Sequence, residues 1–286
     1  MSQFKNYLSL IKFSHTIFAM PFAMIGFFLG IATNESSFDW FLLLLIIMCM
    51  IFARSAAMAF NRYVDRDIDG SNPRTAKVRE IPNGTIKAQS ALVFVIINCF
   101  LFISCTWFIN PLCFLLSPIA LIIILGYSYT KRFTALCHLI LGLGLSLAPL
   151  GAFLAVTAEF AIIPILFSIA VLFWVSGFDI IYSLQDKAFD KNQNLHSIPV
   201  WTGKKQALQL AKVFRLVTFF ALLYPAINQN FEIFYWIGFS IFSALLIYQH
   251  SIVKHNDLSK VNLAFFTTNG IASVVFSIFV ILELSL

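Results

Sequence analysis

Three oxygen-bearing side chains, Asn61, Asp65 and Asp69, stand four residues apart directly after an apolar run that ends at Phe60. A second series, Asp179, Tyr182, Asp186 and Asp190, ends another apolar run much later in the chain. At about 100° per residue the first three drift by only about 80° on a continuous helix, and the second acids return to within about 40°. Each series therefore shares one face. Carboxylates stacked this way repel one another, and desolvation at a membrane edge adds to the cost. A solvated loop face is one way to offset that cost. The recurrence of one periodicity behind two apolar segments favours another, a divalent cation. Mg²⁺ takes hard oxygen ligands from one or two carboxylates and fills its octahedron with water and substrate phosphate. Two facing stripes would hold two or more such ions around a diphosphate.

Bases accompany the acids. Arg74, Lys77 and Arg79 follow the first series, and Lys131 and Arg132 open another polar loop. Guanidinium groups grip phosphate oxygens in a bidentate way; contact with lipid headgroups is the competing reading. Arg54 shares a helical face with Asn61 and Asp65, one to two turns deeper in the apolar run. A buried arginine there would pair with a carboxylate on a substrate, unless it snorkels to the interface.

The elements that must carry these residues are membrane helices. The chain has 286 residues, of which 60% are hydrophobic and 11% charged, with a mean hydropathy of +0.88. That balance excludes an ordinary soluble domain. Crossing a hydrocarbon core of about 30 Å takes roughly 20 apolar residues. Nine segments meet or approach that length: 15–32, 39–60, 90–108, 111–127, 136–157, 162–183, 208–228, 231–249 and 263–284. All 19 Lys and Arg fall on one set of connections or its adjoining helix ends, including Arg54, Lys212 and Arg215. The positive-inside rule places that set, with the N-terminus, in the cytoplasm. The net charge of +6 thus describes a membrane face, and no nucleic-acid site is expected. The five cysteines are expected to be packing residues, and no cleaved signal peptide is expected. His15 and His196 are read as surface or interfacial. Small residues at 142, 144, 146, 148 and 151 predict close helix packing, with a tunnel wall as the other reading.

Together these residues resemble the UbiA superfamily of intramembrane aromatic prenyltransferases. Asn61-Arg62-x-x-Asp65-x-x-x-Asp69 is similar to the N-D-x-x-D-x-x-x-D motif, and Asp179, Tyr182, Asp186 and Asp190 match D-x-x-Y-x-x-x-D-x-x-x-D. "PRTAKVREIPNG", "YSYTKRFT" and "HSIP" resemble the surrounding loops, and Arg54 precedes the motif Asn by seven residues. Arg62 departs from the pattern, standing where most members carry Asp. The variant form is similar to a 4-hydroxybenzoate polyprenyltransferase-like branch that includes an enzyme of menaquinone biosynthesis.

The resemblance implies one UbiA-like domain over 1–286: an all-α integral membrane protein of nine transmembrane helices around a central chamber, with lid-like cytoplasmic loops at 61–89 and 184–207. It implies Mg²⁺-dependent transfer of a polyprenyl group from polyprenyl diphosphate to an aromatic carboxylic acid, 4-hydroxybenzoate-like or dihydroxynaphthoate-like, in ubiquinone or menaquinone biosynthesis at the inner membrane. Asp65, Asp69, Asp186 and Asp190 would hold metal. Asn61, Arg74, Arg79, Lys131 and Arg132 would bind substrate, with Arg54 on the acceptor. Asp179 is expected to ligate or handle a proton, and Tyr182 to stack on the allylic cation or bond the diphosphate; an interfacial-belt Tyr is the bland alternative. Two rival functions are a CDP-alcohol phosphotransferase, whose second acidic half would have to be adjacent to the first, and a secondary transporter, which would put its charges near the midplane.

Overall fold

The computed structural model describes residues 3–11 and 18–286. The described chain is helical: α1 (Gln3–Leu10), α2 (Met20–Asn34), α3 (Trp40–Val64), α4 (Arg66–Ser71), α5 (Ala88–Ile109), α6 (Pro111–Thr130), α7 (Cys137–Thr157), α8 (Ile162–Ser183), α9 (Lys187–Asn192), α10 (Ile198–Thr202), α11 (Lys204–Asn228), α12 (Ile233–Ser251), a π-helical turn (Leu263–Thr268) and α13 (Asn269–Ser285). Among the described residues, eight helical stretches are long and apolar enough to cross a membrane, the last being the π-turn together with α13. The remaining expected span appears as α2, fifteen residues and shorter than a full crossing. His15 lies outside the described residues.

Local chemistry sets the helix starts. Asp39 caps α3 by accepting from the backbone N–H groups of Phe41 and Leu42 at 2.8 and 3.2 Å. Asn110 caps α6 through Cys113 N–H at 2.8 Å. Pro21 and Pro111 occupy first-turn positions, where no backbone donor is lost. α2 ends at Glu35, whose φ of 48° is left-handed.

α7 is the pivot of the bundle, packing on α2, α6 and α8; α3 pairs with α5, α8 with α11, and α12 with α13, which returns to α2. Two close approaches fix these contacts. A side chain at Gly26 would collide with the Pro149 carbonyl, and one at Gly142 with the Leu172 carbonyl and Ser176 Oγ. The small residues of α7 thus divide between two jobs. Gly142 and Ser146 pack, while Gly144, Ala148 and Gly151 line a cavity. A core rich in aromatics, among them Phe22, Phe167, Trp174, Tyr235, Phe242 and Phe276, joins α2, α8, α12 and α13.

Candidate active site

The two acidic series both occur where a membrane helix gives way to a short one. Asp65 sits between α3 and α4, and its N–H still donates to Asn61 O at 2.9 Å while Asp69 N–H donates to Asp65 O at 2.7 Å. The helical repeat therefore persists through the junction. Asp186 occupies the N-cap position of α9 without a side-chain capping bond, and Asp190 N–H donates back to Asp186 O at 2.8 Å.

Asp65, Asp69, Asp186 and Asp190 each meet one of the predicted bases. Arg132 Nη2 lies 3.1 Å from Asp65 Oδ1, and the same nitrogen donates to Val64 O at 2.8 Å. Arg79 pairs with Asp69. Arg74 grips Asp186 with two nitrogens, Nε at 3.1 Å and Nη2, and Nη1 donates to the Tyr182 hydroxyl at 3.0 Å. Lys131 Nζ lies 2.7 Å from Asp190 Oδ1. The Arg74 and Lys131 pairs join segments far apart in sequence, so the two motifs share one site. Lys77 is exposed.

Burial and neighbours set the charge states. Burial pushes the Asp65 carboxyl above the usual range, and Asp69 adds to this, with Arg132 and Lys131 opposing. Burial likewise raises Asp190, which is fully buried, against the pull of Lys131. Burial disfavours the Arg74 charge, but Tyr182 and Asp186 outweigh it and hold its pKa up.

Asn61 Nδ2 donates to Asp65 Oδ2 at 3.0 Å, while its oxygen accepts from Arg62 Nη1 at 3.2 Å. Arg62 is thus turned inward, 6% exposed, and occupies the Asn61 oxygen that was expected to help a metal, while the Asn61 amide nitrogen, the expected phosphate donor, is given to Asp65. Tyr182 is wedged against Phe265, ring centroids 4.3 Å apart, with Arg74 5.3 Å over its face. Phe265 and Phe266 belong to the π-turn, whose extra residue per turn aims them at Tyr182.

One residue was not anticipated from sequence. His138, in the first turn of α7 and buried, places Nδ1 2.7 Å from Asp179 Oδ2. Its Nε2 lies 3.4 Å from the backbone N–H of Ile198. The available signal was an ionisable side chain in an apolar run six residues past Arg132. His196 is exposed, and its backbone N–H donates to Lys131 O at 2.8 Å.

Below the acids lies a cavity of about 370 Å³ between α3, α5, α6 and α7, within the usual range for small-molecule sites. Arg54, Ala57, Met58 and Tyr127 form its end nearest Asn61. The Arg54 Nε atom is buried and has no hydrogen-bond partner among the described residues. Beyond it the wall is apolar, with Gly144, Ala148 and Gly151 leaving room.

The donor set suits Mg²⁺. It offers hard oxygens only, and the buried Asp190 Oδ2 has no hydrogen-bond partner among the described residues. No three His, Cys, Asp or Glu side chains converge into a ready cage among those residues. An ion at this site would be held by one or two carboxylates plus substrate phosphates. The five cysteines are free.

Comparison with known proteins gives a consistent result. A sequence model of the UbiA prenyltransferase family matches residues 19–271. The 4-hydroxybenzoate octaprenyltransferase of Tolumonas auensis is 28% identical over 238 residues, 83% of this chain and 82% of that protein. The enzyme of the same name from Vibrio atlanticus is 29% identical over 241 residues, 83% of each chain. Among solved structures, an apo UbiA homologue from Aeropyrum pernix superposes with a TM-score of 0.80 at 27% identity, over 94% of this chain and 96% of that one. A UbiA homologue from Archaeoglobus fulgidus bound to GPP and Mg²⁺ has the same fold, with a TM-score of 0.74 at 23% identity over 98% and 100% of the two chains.

Proposed function

This chain belongs to the UbiA prenyltransferase family, and from that premise we propose that it transfers a polyprenyl group from polyprenyl diphosphate to an aromatic carboxylic acid in quinone biosynthesis. The observation that carries this reading is the pairing of Asp65, Asp69, Asp186 and Asp190 with Arg132, Arg79, Arg74 and Lys131, next to a cavity that ends in an arginine whose buried Nε has no partner among the described residues. The basic loops support a cytoplasmic orientation of this face at the inner membrane, by the positive-inside rule.

Asp65, Asp69, Asp186 and Asp190 would hold Mg²⁺, which when bound would neutralise the diphosphate and make it a better leaving group. Arg74, Arg79, Lys131 and Arg132 exchange their carboxylate partners for phosphate oxygens, with Asn61 beside them. As the allylic C–O bond breaks and diphosphate departs, the Tyr182 face, backed by Phe265, lies beside the developing cation. Arg54 takes the acceptor carboxylate in a bidentate grip and turns the ring toward that carbon. A C–C bond forms, and Asp179, held by His138, is the acceptor for the proton the ring gives up. Loops 61–89 and 184–207 close over the site and keep water from capturing the cation.

Mass spectrometry of membranes supplied with Mg²⁺, a polyprenyl diphosphate and a panel of aromatic acids tests the reading. A prenylated acid is expected, strongly reduced in Asp65→Asn and Asp186→Asn. No product with any acceptor, or variants that match wild type, would overturn it.

A further inference from the structure

A second group of polar side chains, half-buried but with buried nitrogen atoms, lies away from the aspartates, where α8, α11 and α12 meet. Arg215 of α11 and His250 of α12 line a small recess floored by Trp174, Gly177 and Phe178 of α8. Among the described residues, the Arg215 Nη2 atom and both ring nitrogens of His250 are buried without a hydrogen-bond partner. No described carboxylate forms an ion pair with Arg215. The neighbouring Gln249 gives its amide nitrogen to Ala264 O at 2.9 Å.

A guanidinium in the wall of a membrane bundle is costly unless an anion meets it. The recess encloses about 10 Å³, room for a single oxygen-sized atom. Water there would satisfy hydrogen bonds and leave the charge unpaired. A phosphoryl oxygen would accept from both side chains and neutralise the guanidinium. The surrounding surface shows how such a group would arrive. Val213 (50% exposed), Leu216 (56%) and Ile247 (64%) present apolar side chains outward, as a lipid-facing wall does. Arg215 lies near the middle of α11, whereas His250 stands in the last turn of α12, four residues before Lys254, so the recess lies toward the basic end of α12.

We propose that this recess seats one phosphoryl oxygen of an anionic phospholipid, whose acyl chains run along Leu216 and Ile247. The lipid then bridges α11 and α12 and ties both to α8. Inorganic phosphate shares the recognising chemistry, and the test separates the two sources.

The full chain is melted in phosphatidylcholine nanodiscs with and without phosphatidylglycerol, and separately with inorganic phosphate. Phosphatidylglycerol is expected to raise the wild-type Tm by roughly 2–4 °C. That increment is expected to vanish in Arg215→Leu and to persist in Lys254→Gln, an exposed cation on the same side. Because Arg215→Leu removes an unpaired charge, its Tm in phosphatidylcholine alone should equal or exceed that of wild type. Equal phosphatidylglycerol increments in wild type and Arg215→Leu would overturn the proposal. A full Arg215-dependent increment from inorganic phosphate alone would overturn the lipid as occupant. Should Arg215→Leu not be recovered folded, His250→Phe carries the same comparison. A reduced increment there supports the site, and an unchanged one overturns it.

Discussion

His138 Nδ1 and Asp179 Oδ2 are 2.7 Å apart across the α7–α8 contact. A neutral imidazole protonated on Nδ1 satisfies both of its partners, donating to Asp179 and accepting from Ile198 N–H through Nε2. The ring thereby fixes the deepest motif acid and anchors the segment that leads into α10. His138→Ala is expected to lower kcat about 10–100-fold, as loss of a group supporting a functional carboxylate does. The KM for polyprenyl diphosphate is expected to stay near wild type. A fall in KM-dependent binding with kcat intact would assign His138 to substrate capture instead.

The Arg74–Asp186 contact leads to a second expectation. Asp186→Asn is expected to reduce kcat/KM about 10²–10³-fold, each tenfold being about 1.4 kcal/mol. Arg74→Ala should mainly raise the KM for polyprenyl diphosphate, because its second role is toward phosphate. Chelating Mg²⁺ with EDTA should abolish turnover, and added Mg²⁺ should restore it in wild type but only weakly in Asp186→Asn.

How far these features were legible in the sequence depends on whether their cause is local. The spans were readable because an apolar run of that length has few other homes, and most helix limits fall within a few residues of expectation. α2 is the exception in length, since Glu35 in a left-handed conformation and Pro21 in the first turn fix its ends. The acids and bases were legible as spacing and type. Which base meets which acid was not, because irregular loops decide it. Arg62 stood out only as a departure, and its hold on the Asn61 oxygen needed coordinates. His138 carries no spacing signal, and the π-turn that aims Phe265 at Tyr182 has no periodicity to read.

Arg54 sets a third test. With its Nε unpartnered at the end of an apolar cavity, Arg54→Ala should cost about 2–3 kcal/mol of kcat/KM with a carboxylated acceptor, in the range for a lost charged hydrogen-bonding partner. With an acceptor lacking the carboxylate, the same substitution should change little. Equal losses on both acceptors would sink the pairing.

The glycines of the bundle give a contrast that needs no substrate. A Cβ at Gly26 would collide with the Pro149 carbonyl oxygen, whereas one at Gly151 meets nothing within 4 Å. Gly26→Ala should therefore lower Tm, overpacking costing typically about 1–3 kcal/mol. Gly151→Ala should leave Tm near wild type. Gly151→Leu, which projects into the cavity, should raise the KM of a substrate seated there. Thermal melts and steady-state kinetics on the three variants check this.

The order in which the ion-paired residues leave the ribosome gives the site a built-in schedule. Chains are made and inserted from the N-terminus. Asp69 waits only ten residues for Arg79, while Asp65 waits for Arg132, 67 residues on. The second motif waits for nothing. Arg74 precedes Asp186 by 112 residues, and Lys131 precedes Asp190. Each late acid therefore emerges with its base already at the membrane surface. Biogenesis thus leaves Asp65 to wait for Arg132, and Arg74 and Lys131 to wait as unmatched bases for the acids of the second motif.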